Sequence, residues 1–157
     1  MDPAAITEQL ATFYYQALSG DRSQLANIYK GDSILTWEGN QFQGAGAIVE
    51  KHTAFPTGVQ FKVVTKDFQI AGDKMIVLVT GQLITEPGAN PVHFSQSFTL
   101  AADGVGGFYV ANDLFRLNYD IYLSFPLNSK PIAKCGNSKR QTVEKDETHL
   151  FLRSSIH

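Results

Sequence analysis

The sequence predicts an α+β fold, in which a strongly curved antiparallel β-sheet wraps on three N-terminal helices and forms a cone with a hydrophobic cavity. Apolar residues first recur at helical spacing, and four later segments are long and rich in strand-forming residues, two of them alternating apolar with polar. Helices gathered before long strands are typical of this class. The predicted cavity is lined by aromatic side chains, namely Trp37, Phe55, Phe94 and Phe115.

Three segments favour helices. Asp2-Pro3 is a helix start, because aspartate caps free backbone N–H groups and proline fits the first helical position; Gly20 ends this helix. Asp21 caps a short second helix that Gly31-Asp32 breaks. The third helix spans 45–54 and stops at Phe55-Pro56, because the residue before proline avoids the helical region.

The stretch 94–119 predicts a long antiparallel hairpin. Its first half alternates strictly, with Phe94, Gln96, Phe98 and Leu100 on one face. A glycine-rich turn leads into a second strand, which carries Asn112-Asp113 among apolar residues. Polar residues at that point predict either a β-bulge or a site.

Three further strands are predicted at 34–37, 59–70 and 75–84, the second with a slip at Val64. Because 75–84 is apolar on both faces, we expect it to be central and covered on both sides, by helices and by a further layer such as a second subunit. Glu38 to Gln41 is predicted to be a turn.

Individual residues leave alternatives open. Trp37, beside Glu38, is either a core residue or part of a recognition patch whose carboxylate pairs with a partner's lysine or arginine. The run Phe13-Tyr14-Tyr15 is interpreted as core. His52 is interpreted as a histidine at the core boundary rather than a metal ligand.

Composition excludes several classes of protein. A chain of 157 residues suits one domain, and a net charge of −2 predicts neither a nucleic-acid partner nor an anionic membrane. The N-terminus lacks a signal-peptide pattern and no apolar run reaches a membrane span. The single cysteine, Cys135, cannot form an internal disulfide, which fits a reducing compartment. No metal or cofactor motif is present.

Five stretches resemble the nuclear transport factor 2 family, in order and nearly in spacing. They are FYYQALSGDRSQLANIY (13–29), LTWEGNQFQGAGAIVEK (35–51), VTGQL (79–83), FSQSF (94–98) and NDLFRLNY (112–119). The WEGxxFxGxxxIVEK run is the specific one, since the fold alone is shared by many functions. The resemblance covers 1–120, and the segment 121–157 is interpreted as a tail, flexible or loosely packed.

The resemblance implies a homodimer that carries the GTPase Ran, in its GDP form, through the nuclear pore by weak binding of Phe-x-Phe-Gly repeats of nucleoporins. It places the chain in cytoplasm and nucleus, enriched at the pore. An aromatic side chain of Ran would enter the mouth of the cone at Trp37, Phe55 and Phe115, and Glu38 would be the acid at its rim. Asp113 is interpreted as structural.

Two departures from the family pattern concern these partners. The acidic loop before the FSQSF strand retains one acid, Glu86, and losing one or two rim ion pairs would weaken Ran binding about 5- to 30-fold. No aromatic residue lies near the start of helix 1, where relatives contact nucleoporin repeats, so Ile6 is the substitute candidate.

Two other classes share this fold. An enzyme would need acid or base groups inside the cone, and Asp67, His93 and Asp113 are the candidates; we expect the first two to point outward, so the chain is predicted not to be an enzyme. An adaptor of the messenger-RNA export or stress-granule type, binding Phe-Gly-type peptides, is the alternative function; such adaptors would lack the WEGN turn.

Overall fold

The computed structural model describes residues 2–119, so the predicted tail lies outside the described residues. Two α-helices and one 3₁₀ helix accompany six strands. In chain order these are α1 (Pro3–Ser19), the 3₁₀ helix (Arg22–Ile28), β1 (Tyr29–Trp37), β2 (Asn40–Gln43), α2 (Ala45–Ala54), β3 (Gln60–Ala71), β4 (Lys74–Ile84), β5 (Val92–Ala102) and β6 (Phe108–Asn118).

The helix starts follow the predicted chemistry. The Asp2 side chain accepts a hydrogen bond from the N–H of Ala4, and proline occupies the first turn of α1. Asp21 caps the 3₁₀ helix in the same way, through the N–H of Ser23. The inward side of α1 buries the predicted apolar stripe, including Ile6, Leu10 and Leu18.

The strands form one sheet in the order β2-β1-β6-β5-β4-β3. Neighbours are antiparallel except for β1 and β6, which run parallel. The prediction that β1 starts at Ile34 is wrong, because Tyr29 already pairs with Val110 of β6 before an irregular step. The predicted turn at 38–41 is confined to Glu38-Gly39, and Asn40 opens the edge strand β2.

The sheet has an inner face covered by helices and an outer face that is open in the single chain. On β4, Val77 and Val79 are fully buried on the inner face, whereas Ile76 and Leu78 on the outer face are 37% and 42% exposed. The expectation that β4 is central is wrong: it lies next to the edge strand β3. Its outer face is covered by nothing in the described chain.

The β5–β6 hairpin has the predicted alternation and a bulge. Phe94, Gln96, Phe98 and Leu100 are all buried. Because Thr99 pairs with Asn112 and Leu100 with Val110, Ala111 is the extra residue of a β-bulge just before Asn112. The slip predicted at Val64 is also confirmed, between Val63 and Thr65. The bulge in β6 directs the next inward side chain, Asp113, into the core.

Candidate functional site

Four aromatic rings meet where β1 and β6 end. Trp37 stacks on Phe115 with ring centroids 3.8 Å apart, Phe94 stacks on the other side of Phe115 at 5.5 Å, and Phe55 lies edge-on to Trp37 at 5.2 Å. All four side chains are at most 2% exposed. Of the two alternatives for Trp37, the structure shows the core position. The predicted lining residues therefore come together and pack on one another.

Backbone geometry places these rings. The parallel register of β1 and β6 sets Trp37 directly beside Phe115. Phe94 reaches the stack because its neighbour on β4 is Gly81: a Cβ there would lie 2.6 Å from the Phe94 ring and 2.5 Å from the carbonyl oxygen of Lys62. A glycine is thus required by the close approach of the ring.

Arg22 holds the fourth ring in place. Arg22 as a residue is 9% exposed, and its guanidinium donates hydrogen bonds to the carbonyl oxygens of Leu18, His52, Phe55 and Pro56. These carbonyls lie at or just beyond the C-terminal ends of α1 and α2, where backbone acceptors lack partners and the helix dipole favours a cation. Sequence reasoning missed this clamp, because backbone carbonyls leave no side-chain pattern.

Glu38 lies at the β1–β2 turn, directly after Trp37. Its φ is +49°, the left-handed conformation of a tight turn. Its side chain is 9% exposed. Oε1 of the carboxylate accepts a hydrogen bond from the N–H of Leu117, and Oε2 lies 3.8 Å from Nη1 of Arg116. The predicted rim acid is thus largely folded against β6, with one oxygen bound to the backbone.

A buried polar cluster lies on the core side of the aromatic stack. Oδ2 of Asp113 accepts hydrogen bonds from the hydroxyls of Tyr29 (2.6 Å) and Tyr14 (3.3 Å), and Oδ1 accepts from Nε2 of Gln96 (2.8 Å). Gln96 also accepts from the hydroxyl of Tyr15 at 2.7 Å. The available sequence signal was Gln96 itself, a polar residue on an otherwise apolar strand face.

Burial shifts the pKa values of Asp113 and His52 in opposite directions. Burial raises the pKa of Asp113 from 3.8 to about 6, although the three hydrogen bonds counteract the rise. Burial also lowers the pKa of His52 from 6.5 to about 3, with the cations of Arg22 and Lys51 adding to the effect. His52 is 1% exposed, so the prediction of a boundary histidine is wrong. The rings of Tyr14 and Trp37 cover it edge-on.

The hydrogen bonds of Tyr14 assign the proton on His52. The hydroxyl of Tyr14 donates to Asp113 and accepts from Gln96, so its 3.4 Å contact with Nε2 of His52 is satisfied when that nitrogen donates. Nδ1 of His52 and Nε1 of Trp37 are then two buried atoms without a hydrogen-bond partner among the described residues. The neutral Nε2–H tautomer fits both observations.

The remaining candidates lie outside this cluster. Glu86 is exposed in the β4–β5 loop, at the sheet end where Leu117 pairs with Phe94. Ile6 lies on α1 and lines a separate apolar groove of about 320 Å³ with Leu10, Phe13, Leu100, Phe108 and Val110. Asp67 and His93 are exposed, as expected, whereas Asp113 is fully buried.

Residues 2–119 contain neither a metal-binding group nor a membrane-spanning helix. No group of three or more His, Cys, Asp or Glu side chains is placed to hold a metal ion within this range. None of its helices is both long and apolar enough to cross a membrane.

The family model, the related sequences and the solved structures that match this chain point to one family. The family model of the Nuclear transport factor 2 (NTF2) domain matches residues 6–117. Nuclear transport factor 2 of Candida glabrata is 46% identical over 76% of this chain and 97% of its own length, and that of Emericella nidulans 43% over 76% and 98%. The solved structure of nuclear transport factor 2 from Cryptosporidium parvum aligns with a TM-score of 0.67 at 40% identity, over 73% of this chain and 94% of that one.

Proposed function

Because the chain belongs to the nuclear transport factor 2 family, we propose that it carries Ran in its GDP form into the nucleus by binding Phe-x-Phe-Gly repeats of nucleoporins. It would then occur in cytoplasm and nucleus and be enriched at the pore. The relatives are named as transport factors, which favours a function without catalysis. One observation supports the Ran site most directly: an acid, Glu38, adjoins an aromatic cluster formed by Trp37, Phe55 and Phe115.

The aromatic cluster supplies the apolar part of the proposed Ran site. Phe55 directly follows α2 and packs edge-on against Trp37. It begins a connection that continues through Pro56 to Gly58, whose φ is +82°. Since the rings are already packed, an aromatic side chain of Ran enters by displacing Phe55. Arg22 donates to the carbonyl oxygen of Phe55 and also lies over its ring, 5.8 Å from the ring centroid. The ring would therefore leave this cation–π contact when it rotates, while the backbone stays in place.

Two acidic side chains supply the charged part of the proposed Ran site. Glu38 and the exposed Glu86 lie at the same end of the sheet and would pair with basic side chains of Ran. Oε2 of Glu38 is the oxygen open to such a pair, because Oε1 accepts the N–H of Leu117. The contribution of each rim pair is on the order of 1 kcal/mol, so affinity depends on both acids.

The groove beside Ile6 is the proposed nucleoporin site. Its walls are apolar side chains of α1 and of the β5–β6 hairpin, and Phe108 at its border is 40% exposed. A phenylalanine of a repeat would bury its ring between them. Such binding is weak per site and gains strength from several repeats acting together.

The outer face of the sheet is the proposed homodimer interface. Leu78, Ser97 and Leu114 lie in register across β4, β5 and β6, and Ile76 lies two residues from Leu78 on the same face of β4. Ile76, Leu78 and Leu114 are 37%, 42% and 54% exposed in the single chain. A second copy of the chain would cover them symmetrically, as a two-fold interface requires.

We expect Glu38→Lys to abolish Ran-GDP binding, because it places a cation where a basic side chain must dock, while the dimer persists. Glu38→Gln keeps an acceptor for the N–H of Leu117, removes the charge and should weaken binding about 10-fold. Calorimetric titration with Ran-GDP measures both, with Ran-GTP as the nucleotide control.

Asp73→Lys is the matched control for that charge change. Asp73 is exposed in the β3–β4 turn, at the opposite end of the sheet, so binding should stay within about 2-fold of wild type. Unchanged binding in Glu38→Lys would remove Glu38 from the site. Absence of binding to either form of Ran by the wild-type chain would favour the adaptor alternative, tested with a Phe-Gly peptide.

A further inference from the structure

An exposed guanidinium lies beside the buried acid of the proposed Ran site. Nη1 of Arg116 is 3.8 Å from Oε2 of Glu38, and the Arg116 side chain is 63% exposed whereas that of Glu38 is 9% exposed. Arg116 comes directly after the stacked Phe115 and, being in register with Ser95, points to the outer face of the sheet. Its Nη2 lies 3.9 Å from the position that a Cβ on Gly39, in the β1–β2 turn, would occupy.

The two oxygens of the Glu38 carboxylate are held differently. Oε1 accepts a hydrogen bond from the N–H of Leu117, a rigid backbone group of β6. Oε2 faces Arg116 at a distance longer than a hydrogen bond. The carboxylate is therefore oriented by the backbone and by the turn at φ +49°, and it does not require Arg116 to keep its place.

We propose that Arg116 is an internal competitor for Glu38 that sets the affinity of this site for basic partners. This inference rests on the proposed function of the site and adds a specificity-determining residue to it. A partner's lysine or arginine can approach Oε2 only by displacing the guanidinium and by moving close to a like charge. Both effects lower the affinity and slow association, and both are screened by salt.

The test compares Arg116→Gln, Arg116→Lys and Lys74→Gln in the full-length chain. Lys74 is exposed at the start of β4, far along the sheet, so Lys74→Gln matches the change in net charge without touching Glu38. Calorimetric titration with Ran-GDP should give about 3- to 10-fold tighter binding for Arg116→Gln at low salt, and less gain at high salt. Arg116→Lys and Lys74→Gln should bind within about 2-fold of wild type.

Weaker or unchanged binding of Arg116→Gln would overturn the inference; weaker binding would show that Arg116 contacts the partner itself. Sedimentation equilibrium on each variant verifies that the oligomeric state is unchanged, so that affinity is compared between equal assemblies. If Arg116→Gln gains no more than Lys74→Gln, the effect is one of net charge, and the inference also fails.

A second readout separates this inference from the proposed function. The amide resonance of Leu117 reports on Glu38, because its N–H donates to that carboxylate. Titration with a tetralysine peptide should shift this resonance at lower peptide concentration in Arg116→Gln than in wild type or Lys74→Gln. Equal titrations would overturn the inference. If Ran binds no variant but the peptide result holds, the proposed function fails and the competition by Arg116 stands.

Discussion

Asp113→Ala is expected to lower the free energy of unfolding by about 3 kcal/mol at pH 7 and by about 5 kcal/mol at pH 4. The alanine leaves the donors of Tyr14, Tyr29 and Gln96 buried without their acceptor. Each such donor costs about 1–3 kcal/mol. At pH 7 part of this loss is offset, because the variant no longer buries a charge.

The pH dependence follows from the pKa of Asp113. Burial raises this pKa from 3.8 to about 6, so the folded state favours the protonated form. The corresponding stability is complete below pH 3.8 and is lost as the pH rises through 6, a difference of about 3 kcal/mol. Asp113→Ala lacks this dependence, so its disadvantage relative to wild type grows as the pH falls from 7 to 4.

Urea unfolding at pH 7 and pH 4 measures the effect, with Glu50→Ala as the control variant. Glu50 is exposed on α2, so its loss should change stability by less than about 0.5 kcal/mol at either pH. A destabilisation by Asp113→Ala that is equal at both pH values would show that the carboxyl does not titrate in this range. If Asp113→Ala does not refold from urea at pH 4, the midpoints of thermal unfolding give the same order of stability for the variants.

His52 opposes Asp113 in the wild-type chain. Its pKa is lowered from 6.5 to about 3, so its contribution is complete above pH 6.5 and is lost as the pH falls through 3. Between pH 7 and pH 4 this loss is about 3 kcal/mol, while Asp113 regains about 2 kcal/mol. The two contributions oppose each other between pH 7 and pH 4, so together they change the wild-type stability less than either would alone.

Local sequence patterns were sufficient to predict much of the fold. The alternation from Phe94 to Leu100 correctly predicted the inner face of β5, and Asp2-Pro3 correctly predicted the start of α1. Both signals depend on neighbours in sequence. The start of β1 was missed for the converse reason: Tyr29 continues the helical spacing of Leu25, and only its pairing with β6, some 80 residues later, makes it a strand.

In the candidate site, too, local sequence signals predicted some features and contacts distant in sequence determined the others. The residues Trp37 and Glu38 stood out as a pair, but the inward orientation of Glu38 depends on the N–H of Leu117, a backbone group 79 residues away. Arg22 gave no signal, since all four of its acceptors are backbone carbonyls. Side-chain identity thus predicted which residues matter, whereas hydrogen bonds to distant backbone determined how they are oriented.

Leu78→Asp is expected to convert the proposed dimer to monomer at micromolar concentration. A two-fold interface contains each substitution twice, so two carboxylates would be buried near each other. A penalty of roughly 2 kcal/mol per copy raises the dissociation constant about 1,000-fold. The fold should survive, because Leu78 is 42% exposed on the outer face and contributes little to the core of the single chain.

Val105→Asp is the matched control, since it is the same kind of change at a residue that is 91% exposed in the β5–β6 turn. Sedimentation equilibrium should find this control dimeric, and circular dichroism should find both variants folded. A dimeric Leu78→Asp would exclude the outer face as the interface. The inner side of the edge strand β3, where Phe68 and Ile70 are 44% and 55% exposed, would then be the next candidate.

Monomerisation should also separate the two proposed partner sites. The aromatic cluster with Glu38 and the groove beside Ile6 are each built within one chain, so one copy of Leu78→Asp should bind one Ran-GDP with nearly unchanged affinity. Repeat binding should weaken about 10-fold or more, because a dimer engages two repeats of one nucleoporin and a monomer only one. Equal loss at both sites would mean that the dimer shapes the sites themselves, whereas selective loss of repeat binding would show that the dimer serves avidity.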